Sequence, residues 1–174
     1  MSGRVLALDV GGRRLGVAVS DPTRTVALPL TTLERQSPEI DAGALGRLAA
    51  EHEASVLVVG LPLDLRGREA VAARGVRAYA GELAPLLPGI ELTFVDERLS
   101  TVAAERALRE QGVRGRARRG VVDRVAATVF LQTWLDRRRQ ADRQAEGTGA
   151  EPGGGAATAR DHQGPSRGGS PEQR

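Results

Sequence analysis

The sequence of 174 residues contains no cysteine and no lysine, and only 2% of its residues are aromatic. Without cysteine the chain can form no disulfide, no thiol nucleophile and no cysteine-based metal site. It also lacks an apolar run long enough to cross a bilayer and an N-terminal secretory pattern, so we expect no membrane association and a cytoplasmic location. Hydrophobic residues make up 40% of the chain, which is enough for one aliphatic core in one domain.

Two arginine clusters are the informative part of the charge, because 25 basic against 22 acidic residues leave a net charge of only +3. The first cluster comprises Arg114, Arg116, Arg118 and Arg119, and the second is Arg137–Arg139. Guanidinium groups bind phosphates through paired hydrogen bonds, so these clusters indicate a polyanionic partner such as nucleic acid. A solvated charge run, or a genomic preference for arginine codons, explains the same residues without a partner.

Hydrophobic periodicity predicts five strands and four helices. The predicted strands are Val5–Val10, Leu15–Ser20, Thr25–Leu30, Val56–Val59 and Leu92–Val95. The predicted helices are Pro38–Glu53, Glu69–Leu87, Val102–Gln111 and Val121–Arg139. Ser37 is the expected N-cap of the first helix, with Pro38 in its first turn and Ile40 on its inward face. Residues 112–120, rich in glycine and arginine, are expected to form a loop.

The order of these elements predicts an α/β fold with a mixed five-stranded sheet. Short turns join the first three strands into an antiparallel meander, whereas helices separate the last two strands, which should therefore pair in parallel. Helices flank the sheet. From Gln140 onward Gly, Ser, Pro and Gln dominate, so we predict a domain over residues 1–139 and a disordered tail over residues 140–174.

Asp9 is the first candidate functional residue, because it is a carboxylate at the end of an apolar strand. Gly11 and Gly12 follow it in a turn that requires either positive φ or close backbone approach. A charge at this position needs a partner such as a metal ion. Hydrogen bonds from the backbone of the turn would satisfy Asp9 equally well.

Three further carboxylates are expected to meet Asp9. Asp96 and Glu97 follow the last strand and Asp123 begins the last helix, and ligands of open α/β sheets collect beyond the carboxyl ends of parallel strands. Converging carboxylates suit Mg²⁺ or Mn²⁺, and two such ions about 4 Å apart can support phosphodiester hydrolysis by water. Alternatively, Asp96 and Glu97 pair with Arg98 on the surface, and Asp123 favours the start of a helix.

Four sequence blocks carry a resemblance to a known family. They are DVGGRRLGVAVSD, VVGLPLDLRG, VDERLST and VVDRVAATVFLQ, which occur in this order within residues 4–138. Together they resemble the YqgF family of Holliday-junction-resolvase-like, pre-16S rRNA nucleases. The resemblance implies a ribonuclease H-like fold and a cytoplasmic, metal-dependent endonuclease that matures the 5′ end of 16S rRNA. Related resolvases cut branched DNA.

The resemblance also implies a catalytic, metal-binding triad. The family's aspartates match Asp9 and Asp123, and its aspartate-glutamate-arginine motif matches Asp96, Glu97 and Arg98. We expect Asp9, Glu97 and Asp123 to bind Mg²⁺ or Mn²⁺. Neighbouring strand residues point to opposite faces, so Asp96 and Glu97 cannot serve equally. Periodicity does not decide between them, because a strand buried on both sides shows no alternation.

Further residues are candidates for substrate binding. They are Arg13, Arg14, Gly60, Arg98, Ser100, Thr101, Arg116, Arg118 and Arg119. Gly60 would let the backbone approach a phosphate, and the arginine cluster would clamp a nucleic-acid backbone. Each has an ordinary alternative: a turn that ends a strand at Gly60, a helix cap at Ser100 or Thr101, and arginines in solvent.

The sequence leaves the substrate open between structured RNA and branched DNA, because both would be contacted mainly through their backbones. A DNA junction favours a homodimer, whereas an RNA end, alone or in a precursor ribosomal particle, requires only a monomer. A noncatalytic nucleic-acid-binding module in ribosome assembly or transcription is a third interpretation. A sugar kinase or ATPase is disfavoured because the chain is too short for two domains and has no GxxxxGK[ST] motif.

Overall fold

The computed structural model describes residues 3–63, 71–96 and 116–148, with the side chains of the last segment described for residues 124–145. The strands are β1 (Arg4–Val10), β2 (Arg14–Ser20), β3 (Ala27–Glu34), β4 (Ala54–Leu61) and β5 (Glu91–Asp96). The α-helices are α1 (Pro38–Glu51), α2 (Val71–Leu83) and α3 (Arg116–Thr148), and a 3₁₀ turn, Ala84–Leu86, follows α2. The predicted helix Val102–Gln111 lies outside the described residues.

The five strands form one mixed sheet in the order β3-β2-β1-β4-β5. Strand β2 pairs antiparallel with β1 and β3, while β4 pairs in parallel with β1 and β5. The predicted meander and the two parallel strands are therefore confirmed. Because β1, β3, β4 and β5 all run in one direction, their last residues lie at the same edge of the sheet, which we call the carboxyl edge.

The sheet separates two hydrophobic layers, and alternation along β1 shows which residues belong to each. Leu6 and Leu8 pack with α1 and α2, whereas Val5 and Ala7 pack against Phe130 and its neighbours on α3. Both faces of the central strands are covered, which explains their near-continuous apolar sequences. A residue at the carboxyl edge can therefore be assigned to the α3 face or to the α1/α2 face.

Strand β3 lies further along the chain than predicted. It occupies Ala27–Glu34 instead of Thr25–Leu30, because β2 pairs with it along its whole length up to Glu34. A bulge at Leu30 shifts the register, since Val17 pairs with Thr31 and Ala18 with Pro29. The edge position of β3 accommodates Pro29, which cannot donate a ladder hydrogen bond.

The ends of the three described helices also differ from the prediction, and α1 ends at Glu51 instead of Glu53. Helix α2 ends at Leu83 rather than at Leu87, because Pro85 has no N–H to donate and the chain continues as a 3₁₀ turn. Helix α3 is longer than the predicted Val121–Arg139 at both ends. Residues 116–120 are helical and not part of a loop, so Arg116, Arg118 and Arg119 belong to the first turns of α3.

The far end of α3 corrects the expectation for residues 140–148, which continue the helix. Arginine, glutamine, alanine and glutamate there are good helix formers, and an ion pair of 3.7 Å joins Arg138 to Asp142 one turn later. From composition, these residues were assigned to the tail because few of them are apolar enough to pack in a core. That criterion does not include their helix propensity. The division into a 1–139 domain and a 140–174 tail stays a prediction.

A carboxylate organises the turn between β2 and β3. Asp21 accepts hydrogen bonds from the backbone N–H of Thr25 at 2.6 Å and of Val26 at 2.8 Å, and from both the backbone and hydroxyl of Thr23. The hydroxyl of Thr23, followed by the backbone N–H of Val26, lowers the pKa of Asp21 well below its usual range. The ionised carboxylate therefore stabilises the turn, which contains Arg24 at φ 55°.

We expect Asp21→Asn to lower the melting temperature at pH 7, because an amide cannot accept all of these hydrogen bonds. A pKa lowered by folding contributes stability above the unfolded pKa of about 3.9, and this stability is lost as pH falls through the folded pKa. The difference in melting temperature should therefore shrink below about pH 4. Thermal unfolding from pH 7 to 2 measures it, with Glu51→Gln as the control, and a pH-independent difference would contradict the assignment.

Candidate active site

Asp9 is the penultimate residue of β1, at the carboxyl edge of the central strand of the sheet. It pairs with Gly16 of β2 and is half-buried. Since Val5 and Ala7 belong to the α3 layer, alternation assigns Asp9 to that same face. The predicted site residue thus lies on the side of the sheet covered by the helix that contains Asp123.

The turn after Asp9 is closed by close backbone approach and not by a positive φ. The N–H of Gly11 donates to the carbonyl of Arg14 at 2.9 Å. A Cβ atom on Gly11 would lie 2.8 Å from that carbonyl oxygen, whereas a Cβ on Gly12 would meet nothing within 4 Å. Of the two alternatives that the sequence left open, close approach is the correct one, and it applies to Gly11.

Gly60 is the neighbour of Asp9 on the adjacent strand. The parallel register pairs Leu8 with Val59, so Asp9 and Gly60 are the next positions, about 5 Å apart across the ladder. Val56 and Val58 pack on the α3 layer, which assigns Gly60 to the same face as Asp9. Gly60 is buried and places no side chain on that face beside the carboxylate.

Asp96 ends β5 at the carboxyl edge, but on the other face of the sheet. Leu92 and Phe94 pack against the α1/α2 layer, while Val95 belongs to the α3 layer. Alternation therefore assigns Asp96 to the α1/α2 face, opposite Asp9. Glu97, Arg98, Ser100 and Thr101 lie outside the described residues, and their roles stay predictions.

Asp123 lies near the beginning of α3, where the backbone is described and the side chain is not. Further along, the side chain of Gln132 accepts from the N–H of Ala27 at 2.8 Å and donates to the carbonyl of Thr25 at 3.0 Å, at the edge where β3 begins. Asp123 lies two and a half turns, about 14 Å of helix, before Gln132.

Arg13 and Arg14 are located in and directly after the turn at the carboxyl edge. Arg13 is exposed, whereas Arg14 is half-buried, begins β2 and pairs with Glu34 of β3. Arg13 is thus exposed at this edge, whereas Arg14 belongs to the sheet, and their roles in substrate binding stay predictions.

The predicted metal centre is only partly within the described residues. Among those residues, no group of three or more histidines and carboxylates is arranged to hold an ion. Asp9 is the one member of the predicted triad whose side chain is described. Its half-buried carboxylate at the carboxyl edge is the kind of hard oxygen ligand that Mg²⁺ and Mn²⁺ accept.

Three residues near this edge were not predicted from the sequence: Arg35, Asp41 and Tyr79. The Tyr79 hydroxyl donates to Asp41 at 2.6 Å, and the Arg35 guanidinium lies 4.2 Å from the centre of the Tyr79 ring. Burial, followed by the hydrogen bond to Asp41, raises the pKa of Tyr79 well above its usual value. Asp41 is 2% exposed, whereas Ile40, expected to point inward, is 53% exposed.

The spacing of Asp41 with Leu45 and Ala49, four and eight residues later, is the signal that could have found this carboxylate. The predicted N-cap of α1 is confirmed, since the Ser37 side chain accepts from the N–H of Ile40. Position 40 was assigned to the core because isoleucine is hydrophobic, and because the contact that buries Asp41, its hydrogen bond with Tyr79, was not known.

A family profile described as RuvX: Holliday junction resolvase matches residues 3–137. The chain belongs to the RuvX family. The resemblance to the family called YqgF in the sequence analysis is thereby confirmed. The match includes β1 with Asp9, the end of β4 with Gly60, and the part of α3 that contains Asp123.

Curated relatives of this RuvX chain are similar to it over about four fifths of its length. A protein from Roseiflexus sp. (strain RS-1) is 45% identical over 137 residues, which cover 79% of this chain and 96% of the relative. One from Myxococcus xanthus (strain DK1622) is 45% identical over 139 residues, 80% of this chain and 91% of the relative. Both are named "Putative pre-16S rRNA nuclease".

Among solved structures, RuvC of T. thermophilus in complex with Holliday junction substrate is similar at 16% sequence identity. The likeness covers 79% of the RuvX chain and 96% of that chain, with a TM-score of 0.47. Within the described part of the RuvX chain, no helix combines the length and apolar character needed to cross a bilayer.

Proposed function

We propose that this RuvX chain is a metal-dependent endonuclease that hydrolyses a phosphodiester bond while the 5′ end of pre-16S rRNA is processed in the cytoplasm. The family membership and the names of the relatives support nuclease activity on rRNA. The observation that carries the proposal is the position of Asp9. It is a half-buried carboxylate at the carboxyl edge, on the α3 face, next to Gly60 on the adjacent strand.

Asp9, Glu97 and Asp123 are the proposed ligands of Mg²⁺ or Mn²⁺. The alternation of β5 supports Glu97 over Asp96, because Asp96 lies on the sheet face opposite Asp9. Asp123 belongs to the helix that covers the Asp9 face. When bound, the ion would lower the pKa of a water molecule and neutralise charge on the reacting phosphate.

The protein's own residues have separate proposed tasks around the scissile phosphate. Gly60 leaves room for the phosphate beside Asp9, and Arg13 reaches the backbone from the exposed turn. Arg98, Ser100 and Thr101 are proposed as further contacts, and Arg14 at the start of β2 is proposed as another. Arg116, Arg118 and Arg119, in the first turns of α3, are proposed to bind the nucleic-acid backbone on either side.

Structured RNA, free or in a precursor ribosomal particle, is proposed as the substrate, with a monomer as the active form. The test compares Mn²⁺-dependent cleavage of a 16S precursor fragment and a four-way DNA junction by the full chain. We expect a discrete cut in the RNA leader and at least ten-fold slower cleavage of the junction, about 1.4 kcal/mol of discrimination.

Either alternative function has its own outcome in the same experiment. Paired, symmetric cuts in the junction with an intact RNA would establish a resolvase and contradict the proposal. Binding of the RNA that is indifferent to metal, with neither substrate cut, would establish the noncatalytic module instead. Sedimentation of the active species then distinguishes a monomer from the homodimer that a symmetric junction favours.

A further inference from the structure

The turn beside Asp9 is held in two places by Arg35, the first residue after β3. The backbone N–H of Arg35 donates to the carbonyl of Arg13 at 3.0 Å. Its side-chain Nη1 donates to the carbonyl of Gly11 at 3.1 Å. Arg35 therefore links the β1–β2 turn to the end of β3. One of the residues that it binds, Gly11, follows Asp9 by two positions.

Arg35 belongs to a network that we call the brace, which consists of Arg35, Tyr79 and Asp41. The guanidinium stacks on the Tyr79 ring, and the Tyr79 hydroxyl donates to Asp41 Oδ2 at 2.6 Å. Both carboxylate oxygens of Asp41 also lie 3.1 Å from the N–H of Gln36, the residue next to Arg35. These contacts thus lead from the Arg35 side chain through Tyr79 and Asp41 to the backbone of Gln36, the next residue. They restrain both the backbone and the side chain of Arg35.

The brace joins three elements that the predicted metal ligands do not use. Arg35 follows β3, Asp41 belongs to α1 and Tyr79 to α2. Burying a carboxylate costs free energy unless it is fully hydrogen-bonded, and apolar packing would fill the same space without that cost. A fully satisfied polar network instead fixes one geometry, because each of its hydrogen bonds is directional.

We propose that Arg35, held by Tyr79 and Asp41, is a positioning residue that fixes the Asp9 carboxylate through the β1–β2 turn. This inference rests on the proposed function of Asp9 as a metal ligand. Reacting groups must be held within a fraction of an ångström, so a mobile turn would displace Asp9 and weaken both ion binding and turnover. Tyr79 and Asp41 act through Arg35 and touch no reacting atom.

The experiment uses the full chain as Arg35→Ala, Arg35→Lys and Tyr79→Phe. Arg77→Ala is the matched control, because the Arg77 guanidinium also stacks on an aromatic ring, 4.6 Å from the centre of Phe94 on β5. Three quantities are measured: Mn²⁺ affinity by electron paramagnetic resonance, hydrogen exchange of the Gly11 amide without metal, and kcat and KM for RNA cleavage.

For Arg35→Ala we expect about ten-fold weaker Mn²⁺ binding, as for loss of a group that orients a metal ligand, and a kcat about 10- to 100-fold lower. KM should change less than about three-fold, and the Gly11 amide should exchange faster. Arg35→Lys should restore most of both losses, because lysine retains the charge and a donor. Tyr79→Phe should show a smaller loss, and Arg77→Ala should leave Mn²⁺ affinity unchanged.

Unchanged Mn²⁺ affinity in Arg35→Ala would overturn the inference, whatever happens to thermal stability. Equal losses in Arg35→Ala and Arg77→Ala would also overturn it. If the wild-type chain binds Mn²⁺ but cuts no RNA, the proposed function fails while the affinity of Arg35→Ala still decides the positioning role. A wild-type chain that binds no Mn²⁺ refutes both.

Discussion

Asp9→Asn should abolish metal-dependent cleavage, with kcat reduced by about a thousandfold or more. Asparagine has nearly the same shape as aspartate but no charge, so it can still accept a hydrogen bond while it binds Mg²⁺ or Mn²⁺ poorly. Because Asp9 is only half-buried at the end of β1, the fold should survive the change. Single-turnover cleavage of the RNA fragment, with a thermal melt of the same preparation, measures both effects.

Asp96→Asn is the control for this prediction. Asp96 also lies at the carboxyl edge but on the opposite face of the sheet from Asp9. We therefore expect its cleavage rate to stay within about ten-fold of the wild type, as for a residue outside the set of ligands. Equal losses in Asp9→Asn and Asp96→Asn would contradict the assignment of the site to the α3 face.

Gly11→Ala should destabilise the β1–β2 turn by about 1–3 kcal/mol and reduce cleavage strongly. The new Cβ would lie 2.8 Å from the carbonyl oxygen of Arg14, the acceptor of the hydrogen bond that closes the turn. To relieve this clash, either residue 11 or the start of β2 must move. The carbonyl of Gly11 accepts a hydrogen bond from Arg35, so this contact would also be disturbed. Urea unfolding and kcat measure the two consequences.

Gly12→Ala is its matched control, one residue away in the same turn. A Cβ on Gly12 meets nothing within 4 Å, so the free energy of unfolding should change by less than about 0.5 kcal/mol or rise slightly. If Gly12→Ala were as damaging as Gly11→Ala, close approach at Gly11 would not be the reason for the glycine.

Local patterns in the sequence predicted much of the fold. The apolar run of β1, the β-branched run of β4, the cap at Ser37 and the short turns of the meander are all local signals, and each matches the structure. The bulge at Leu30 was not predictable, because it depends on how β3 aligns with the whole of β2. The end of α2 was predictable from the sequence, because Pro85 has no N–H to donate to a continuing helix.

The candidate site was likewise predictable from the sequence only in part. Asp9 and Gly60 were predictable from strand ends, but their shared face required the packing of α3 against Val5, Ala7 and Val58. The choice between Asp96 and Glu97 was open because Leu92, Phe94 and Val95 show no alternation by polarity. The brace depends on a contact between residues 38 positions apart, Asp41 and Tyr79, which no local pattern reveals.

The most direct test of the central claim, that Asp9, Glu97 and Asp123 share a divalent ion, is cleavage of the chain by iron. Fe²⁺ binds oxygen ligands in place of Mg²⁺ and, with ascorbate and hydrogen peroxide, produces radicals that cut the nearby backbone. We predict cuts at three separate places, near residues 9, 97 and 123, all suppressed by excess Mg²⁺ and lost in Asp9→Asn. Cuts near residue 9 alone, or none that Mg²⁺ suppresses, would contradict the account.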